Sequence, residues 1–237
     1  MQPVHQIQQI MEKAQTALHR SAWFEAERLA LKGLEMARSA RDYGLMARVT
    51  LPLQEARRQR LQLALDTKRI NIVNEPIGED LRVSPGCYLV QPPAVGADAR
   101  RLRLAALEQE VPAAVLCREP LTRARLCPIV TIGQVTIRTK INPPRSWDKP
   151  TFAWFVGALE ALGDAAIETL DRGVDPIRQI DALLARLDAW PDHERLHQEL
   201  AETCRLAAKE IAEGRLAEPR EPSQALDELE GEFDEDQ

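Results

Sequence analysis

Apolar residues recur at three- and four-residue steps near both ends of the chain, and in short alternating or continuous runs in the middle. The first pattern predicts amphipathic helices and the second predicts strands. Ile7, Ile10, Met11, Ala14, Ala17 and Leu18 mark a first helix, with Pro3 at a position where its missing N–H costs nothing. Ser21 is the expected N-cap of a second, whose stripe is Trp23 or Phe24, Ala26, Leu29, Ala30, Gly33, Leu34 and Ala37. Asp42 is the expected cap of a third, from Tyr43 towards Leu65, with Pro52 inside it as a source of a kink.

The middle reads differently. Arg69–Val73 alternates, and Cys87–Val90 is an apolar run after a Pro85-Gly86 turn signal. Residues 97–109 read as helix, and Ala113–Cys117 is a second apolar run. Strand, helix, strand at this spacing predicts one βαβ crossover with parallel strands. Ile129–Ile132 and Val135–Ile141 predict a hairpin around Gly133-Gln134. The last part is helical again. Thr151 opens a helix to about Leu170, and Gly173 is its stop. Asp175-Pro176 caps a helix ending near Trp190, and Pro191 opens one that Gly214 stops. The expected fold class is therefore α+β. Residues 1–66 are helical, 67–150 form a small mixed sheet with one βαβ unit, and 151–216 are helices packing on the sheet or helices. Residues 217–237 read as a disordered acidic tail.

Composition supports the helical weighting. Of 237 residues 44% are hydrophobic but only 4% aromatic, so Ala and Leu fill the interior. No apolar run approaches the roughly 20 residues that span a bilayer, so no membrane association is expected. The four cysteines are widely spaced and read as buried thiols of a reducing compartment, Cys117 among them, its neighbour Arg118 being the one argument for a reactive thiol. With no leader pattern at Met1–Gln6, the expected location is cytoplasmic, in a bacterial cell.

Charge sharpens the organisation. The net charge is −6, yet residues 224–237 hold seven acids and no base, which leaves 31 bases against 30 acids elsewhere. Residues 1–69 carry 12 bases and 7 acids, whereas 151–223 carry 8 and 15. A near-neutral body argues against nucleic acid as a partner. Arg57, Arg58 and Arg60 form a basic run without the interleaved aromatics of a nucleic-acid surface, and suit an acidic partner or the chain's own tail. Trp147, in the loop Pro143–Pro150, is a candidate interface anchor or a cover over the junction of sheet and helices.

Residues 21–37, SAWFEAERLALKGLEMA, resemble the inner part of a tetratricopeptide (TPR) repeat. Trp23, Ala26, Leu29, Gly33 and Leu34 fall on that pattern, in which small residues let two antiparallel helices approach closely. Residues 183–201 resemble the junction between two such repeats, a helix ending at a proline before the next begins. The resemblance covers about one helical hairpin, and a solenoid needs roughly three repeats. It implies partner binding and no particular partner.

His193-Glu194-Arg195-Leu196-His197 spells H-E-x-x-H, which in zinc hydrolases places two imidazoles on one helix face with the glutamate as general base. Arg195 sets a fixed positive charge between the ligands, and Asp192, Gln198 and Glu199 make the surroundings polar. The reading preferred is a solvated helix start. Val95-Gly96-Ala97-Asp98 follows a strand and opens a helix, as phosphate loops do, but it holds one glycine and an acid that repels anions.

The expectation is thus a non-catalytic protein–protein interaction or scaffold module using TPR-like helices, without a cofactor. Its partner is a protein or a second copy of the chain. The candidate contact residues are Trp23, Arg57, Arg58, Arg60 and Trp147. The alternatives are a zinc-dependent hydrolase at His193, Glu194 and His197, and a small-ligand or nucleotide sensor using the βαβ loop.

Overall fold

A computed structural model describes residues 2–78 and 81–216. The tail from 217 lies outside the described residues, and with it the expectation of a disordered acidic segment. The protein is an α+β fold. Helices α1 (Gln2–His19), α2 (Trp23–Ser39) and α3 (Tyr43–Asp66) come first. Strands β1 (Ile70–Val73) and β2 (Gly86–Val90) precede α4 (Gly96–Glu108). Strands β3 (Ala113–Arg118), β4 (Cys127–Ile132) and β5 (Thr136–Ile141) follow, then α5 (Phe152–Glu168), α6 (Pro176–Ala189) and α7 (Glu194–Ala212).

The five strands lie in sequence order in one mixed sheet. β1, β2 and β3 are parallel, with Cys87 opposite Ala114 and Leu89 opposite Leu116, so β2-α4-β3 is the expected crossover. β4 and β5 are antiparallel and form the expected hairpin. Side-chain alternation splits the sheet into two apolar faces. Val90, Val115, Cys117 and Val130 pack with Ala99 and Leu102 of α4. Cys87, Leu89, Ala114, Leu116 and Ile129 face the other way, into the main core. That core also takes Ile7 of α1, Leu34 of α2, Leu53 of α3, Phe155 of α5, Leu183 of α6 and Leu200 of α7. The three sequence segments therefore share one interior, and α3 packs directly along α7.

Asp42 and Asp175 cap their helices as expected, accepting from the N–H groups of Leu45 (2.8 Å) and Arg178 (3.0 Å), and Thr151 caps the helix it precedes, accepting from Trp154 N–H (3.2 Å). Three expected boundaries differ. Ser21 is not an N-cap; it takes φ 58° in a left-handed turn that ends α1, where Ala22 N–H closes on Ala17 O at 2.9 Å. Arg41 and Glu110 end α2 and α4 in the same way, at φ 53° each. No glycine marks these three stops, which is why they are hard to read from the sequence. Gly173 lies beyond α5, which already ends at Glu168. Pro191 does not open α7; it sits in a turn, and His193 is the N-cap.

Candidate functional site

The turn between β4 and β5 docks on the end of α6 and shapes the ground around a cleft. Gly133 leaves no room for a side chain there, because a Cβ would stand 2.5 Å from Ala189 Cα. Thr131 Oγ1 donates to Ala189 O at 2.6 Å, and Gln134 N–H donates to Asp188 Oδ2 at 2.7 Å. Arg103 of α4 donates to Asp188 O at 2.8 Å and to Ile132 O at 3.4 Å. These contacts tie α4 to the end of α6, with α2 facing both across the lining they share. Between them lies a cleft of about 660 Å³. Its apolar walls are Leu31 and Leu34 of α2, Leu104 and Leu107 of α4, and Leu184 and Leu187 of α6. Ion pairs Arg28–Glu110 and Arg38–Asp181 link α2 to the two neighbouring walls.

The cleft lining also includes a cluster of buried charges. Glu27 of α2 is 2% exposed. Its Oε1 accepts from Arg57 Nε at 2.8 Å, and its Oε2 lies 2.8 Å from Arg60 Nε as an ion pair without hydrogen-bond alignment. Arg60 Nη2 also stands 3.4 Å from Asp192 Oδ1, and its guanidinium lies 5.1 Å from the centre of the Phe24 ring. Burial pushes the Asp192 carboxyl above its ordinary range, against the pull of Arg60. Burial likewise lowers the Arg103 guanidinium, which spends its donors on carbonyls.

Behind this cluster sit the two histidines of the H-E-x-x-H sequence. They are buried, not solvated: His193 is 5% and His197 1% exposed. Arg57 Nη1 lies 3.3 Å from His197 Nε2, and His197 Nδ1 lies 3.0 Å from His193 O. Arginine can only donate and a carbonyl can only accept, so Nε2 is the acceptor and Nδ1 carries the proton. Burial, then the charge of Arg57, pushes the pKa of His197 down to about 3. His193 packs on Gly163 of α5, where a Cβ would stand 2.0 Å from the ring, and its Nε2 lies 3.5 Å from Glu160 Oε2. Glu194 points elsewhere, accepting from Gln54 at 3.1 Å. The nitrogen that would bind metal on His197 already faces a guanidinium, and among the described residues no group of three His, Cys, Asp or Glu is placed to hold an ion. The donor set does not fit a catalytic zinc site.

The basic run also divides. Arg57 is buried and Arg60 largely so, its side chain 11% exposed, both against acids, and Arg58 alone is on the surface, paired with Glu55 at 2.8 Å. Arg57 and Arg60 therefore do not form the exposed basic patch that their sequence implied. Trp23 is half-buried. Trp147, also half-buried, lies edge-on to Trp154 at 5.9 Å with the Arg118 guanidinium 3.9 Å from its ring centre, and it packs against the main core. The βαβ loop does open a helix at Gly96, but Asp98 occupies its start. Its two oxygens accept from Val95 N–H (2.9 Å) and Ile77 N–H (3.1 Å). An anion would have to displace a carboxylate already held there. Burial pushes the Cys117 thiol up to about 12, so it is not an activated nucleophile.

Glu27 was not singled out by sequence reasoning, Asp192 entered it only as a polar neighbour of the H-E-x-x-H sequence, and Arg103 only as a base near the βαβ loop. One signal was present: Leu53, Arg57, Arg60 and Ala64 recur at helical steps, so the two arginines share a face with core residues. Nothing in the sequence showed Glu27 facing them. Among the described residues no helix is long and apolar enough to cross a membrane. No protein-family model, curated protein or solved structure matches the chain.

Proposed function

We propose that this protein is a non-catalytic binding module, an interaction or scaffold protein, whose contact surface is the cleft between α2, α4 and α6. One observation carries the reading: three of the large apolar side chains exposed on the molecule, Leu31, Leu104 and Leu107, border one cleft of about 660 Å³. Apolar walls with a few polar groups at their base are the usual build of a binding site. The TPR-like reading of the N-terminal helices is compatible with this. α2 packs between α1 and α3, with buried Ala26 and Gly33 where the helices approach, so its remaining face is free to line a groove. Arg58 and Trp23 become peripheral, and the contact surface moves to the leucines of the cleft.

The test is a paired pull-down with the intact chain and with Leu107→Arg, which sets a charge in the mouth. A protein recovered by the first and lost by the second supports the reading. Equal recovery by both, or a chain that stays monomeric and recovers nothing, overturns it.

A further inference from the structure

We infer that the cleft is built to receive the acidic segment of this same chain, residues 224–237. The inference rests on the cleft being a binding site, and adds its occupant.

The mouth asks for an apolar face flanked by acids. Leu31, Leu104 and Leu107 are 36%, 48% and 36% exposed, and α2 sets three bases, Arg28, Lys32 and Arg38, against one acid, Glu35, along the same rim. Arg28 and Arg38 are paired only with half-exposed acids, Glu110 and Asp181. Such surface pairs are worth about 0–1 kcal/mol, so an incoming carboxylate can exchange with them at little cost. The cleft lining as a whole holds six basic and four acidic residues, the acids Glu27 and Asp192 being engaged with Arg57 and Arg60.

Residues 224–237 have the matching chemistry. Leu226, Leu229 and Phe233 recur at steps of three and four, and the other positions include seven acids and no base. Leucines would meet leucines while the acids meet the rim. The tether is long enough. α7 starts two residues after Asp192, at the cleft, and its 19 residues span roughly 28 Å. The ten residue-to-residue steps from Leu216 to Leu226 reach up to roughly 33 Å when extended, so the chain can return along the whole of α7. A short tether also gives a millimolar-scale effective concentration, so a weak contact suffices.

The experiment uses the full chain with Asp236→Cys carrying a nitroxide. The four native thiols are buried, which directs the label to the new one. The readout is the methyl signals of Leu31, Leu104 and Leu107. The expected result is that the label broadens them away, and that they return when Leu229→Ser and Phe233→Ser are added. Signals that never broaden, or that broaden equally with the serines present, overturn the inference. Broadening seen only between labelled and unlabelled molecules in a mixture also overturns it, in favour of a second copy. Binding of the apolar dye 8-anilinonaphthalene-1-sulfonate separates this failure from that of the cleft. Dye bound by the serine variant and lost on Leu107→Arg, with no broadening by the label, removes the tail and leaves the cleft reading standing. Absence of both effects removes the two together.

Discussion

Helix α3 has two basic faces that the sequence writes side by side. Arg58 points to solvent and holds Glu55 across one helical turn. Arg57 and Arg60, one and two residues away, point inward to Glu27, His197 and Asp192. The three are the same chemical group in nearly adjacent positions, yet the expected cost of removing them differs, about 0–1 kcal/mol on the surface against about 3–5 kcal/mol inside. A surface pair gains little from a high-dielectric medium. A buried pair has already lost its water, so each partner is held by the other and removal of one strands the rest. The difference teaches that the basic run is mostly interior architecture, a polar seam between α2, α3 and α7, and only at Arg58 a surface feature.

The sharpest way to break this comparison is Glu27→Ala, which leaves Arg57 and Arg60 without their shared carboxylate. Chemical denaturation is expected to show a loss of about 3–5 kcal/mol. A loss below about 1 kcal/mol would mean that the seam is wet and that the two faces are alike.

The next effect is the pH dependence set by His197. Its pKa is about 3 in the fold and near 6.5 when unfolded, so between these values the unfolded chain binds a proton that the native state refuses. Stability from this group is complete above about pH 6.5 and declines as pH falls towards 3, by about 2 kcal/mol at pH 5. Asp192, whose carboxyl is pushed up, works in the opposite direction, so the comparison with His197→Gln isolates the imidazole. Urea midpoints measured at about pH 7 and pH 5 should lie closer together in that variant, the gap that remains including His193, whose imidazole is also pushed down by burial; an unchanged gap would place the acid sensitivity elsewhere.

The smallest effect is on the outer face. Arg58→Ala is expected to change stability by less than about 0.5 kcal/mol, whereas Arg57→Ala costs several. Equal losses for the two in the same denaturation series would remove the distinction between the faces.

Much of the fold is legible in the chain because local chemistry carries it. Asp42, Thr151 and Asp175 are helix caps whose side chains reach their own first turn. The crossover from Cys87 to Cys117 follows from two apolar runs around one helix. The stops at Ser21, Arg41 and Glu110 were not legible, because each uses a left-handed turn without glycine, closed by the next residue's N–H reaching back to Ala17 O, Ala37 O and Ala106 O. The H-E-x-x-H sequence shows the limit for sites. Spacing alone puts two imidazoles on one face; only packing shows that Arg57 fills the nitrogen of one and Gly163 presses on the ring of the other.

The sequence by itself determined the α+β class, the order of elements, most of the caps and the polarity from a basic start to an acidic end. These depend on interactions within a few residues or on simple sums of charge. The tertiary structure alone decided which charges are inside, which leucines remain outside and where the cleft lies. Those outcomes depend on the approach of α2, α4 and α6, and of α3 against α7, residues more than a hundred positions apart in the case of Arg57 and His197. Burial multiplies the weight of each charge, and burial is a property of neighbours that a linear pattern does not contain.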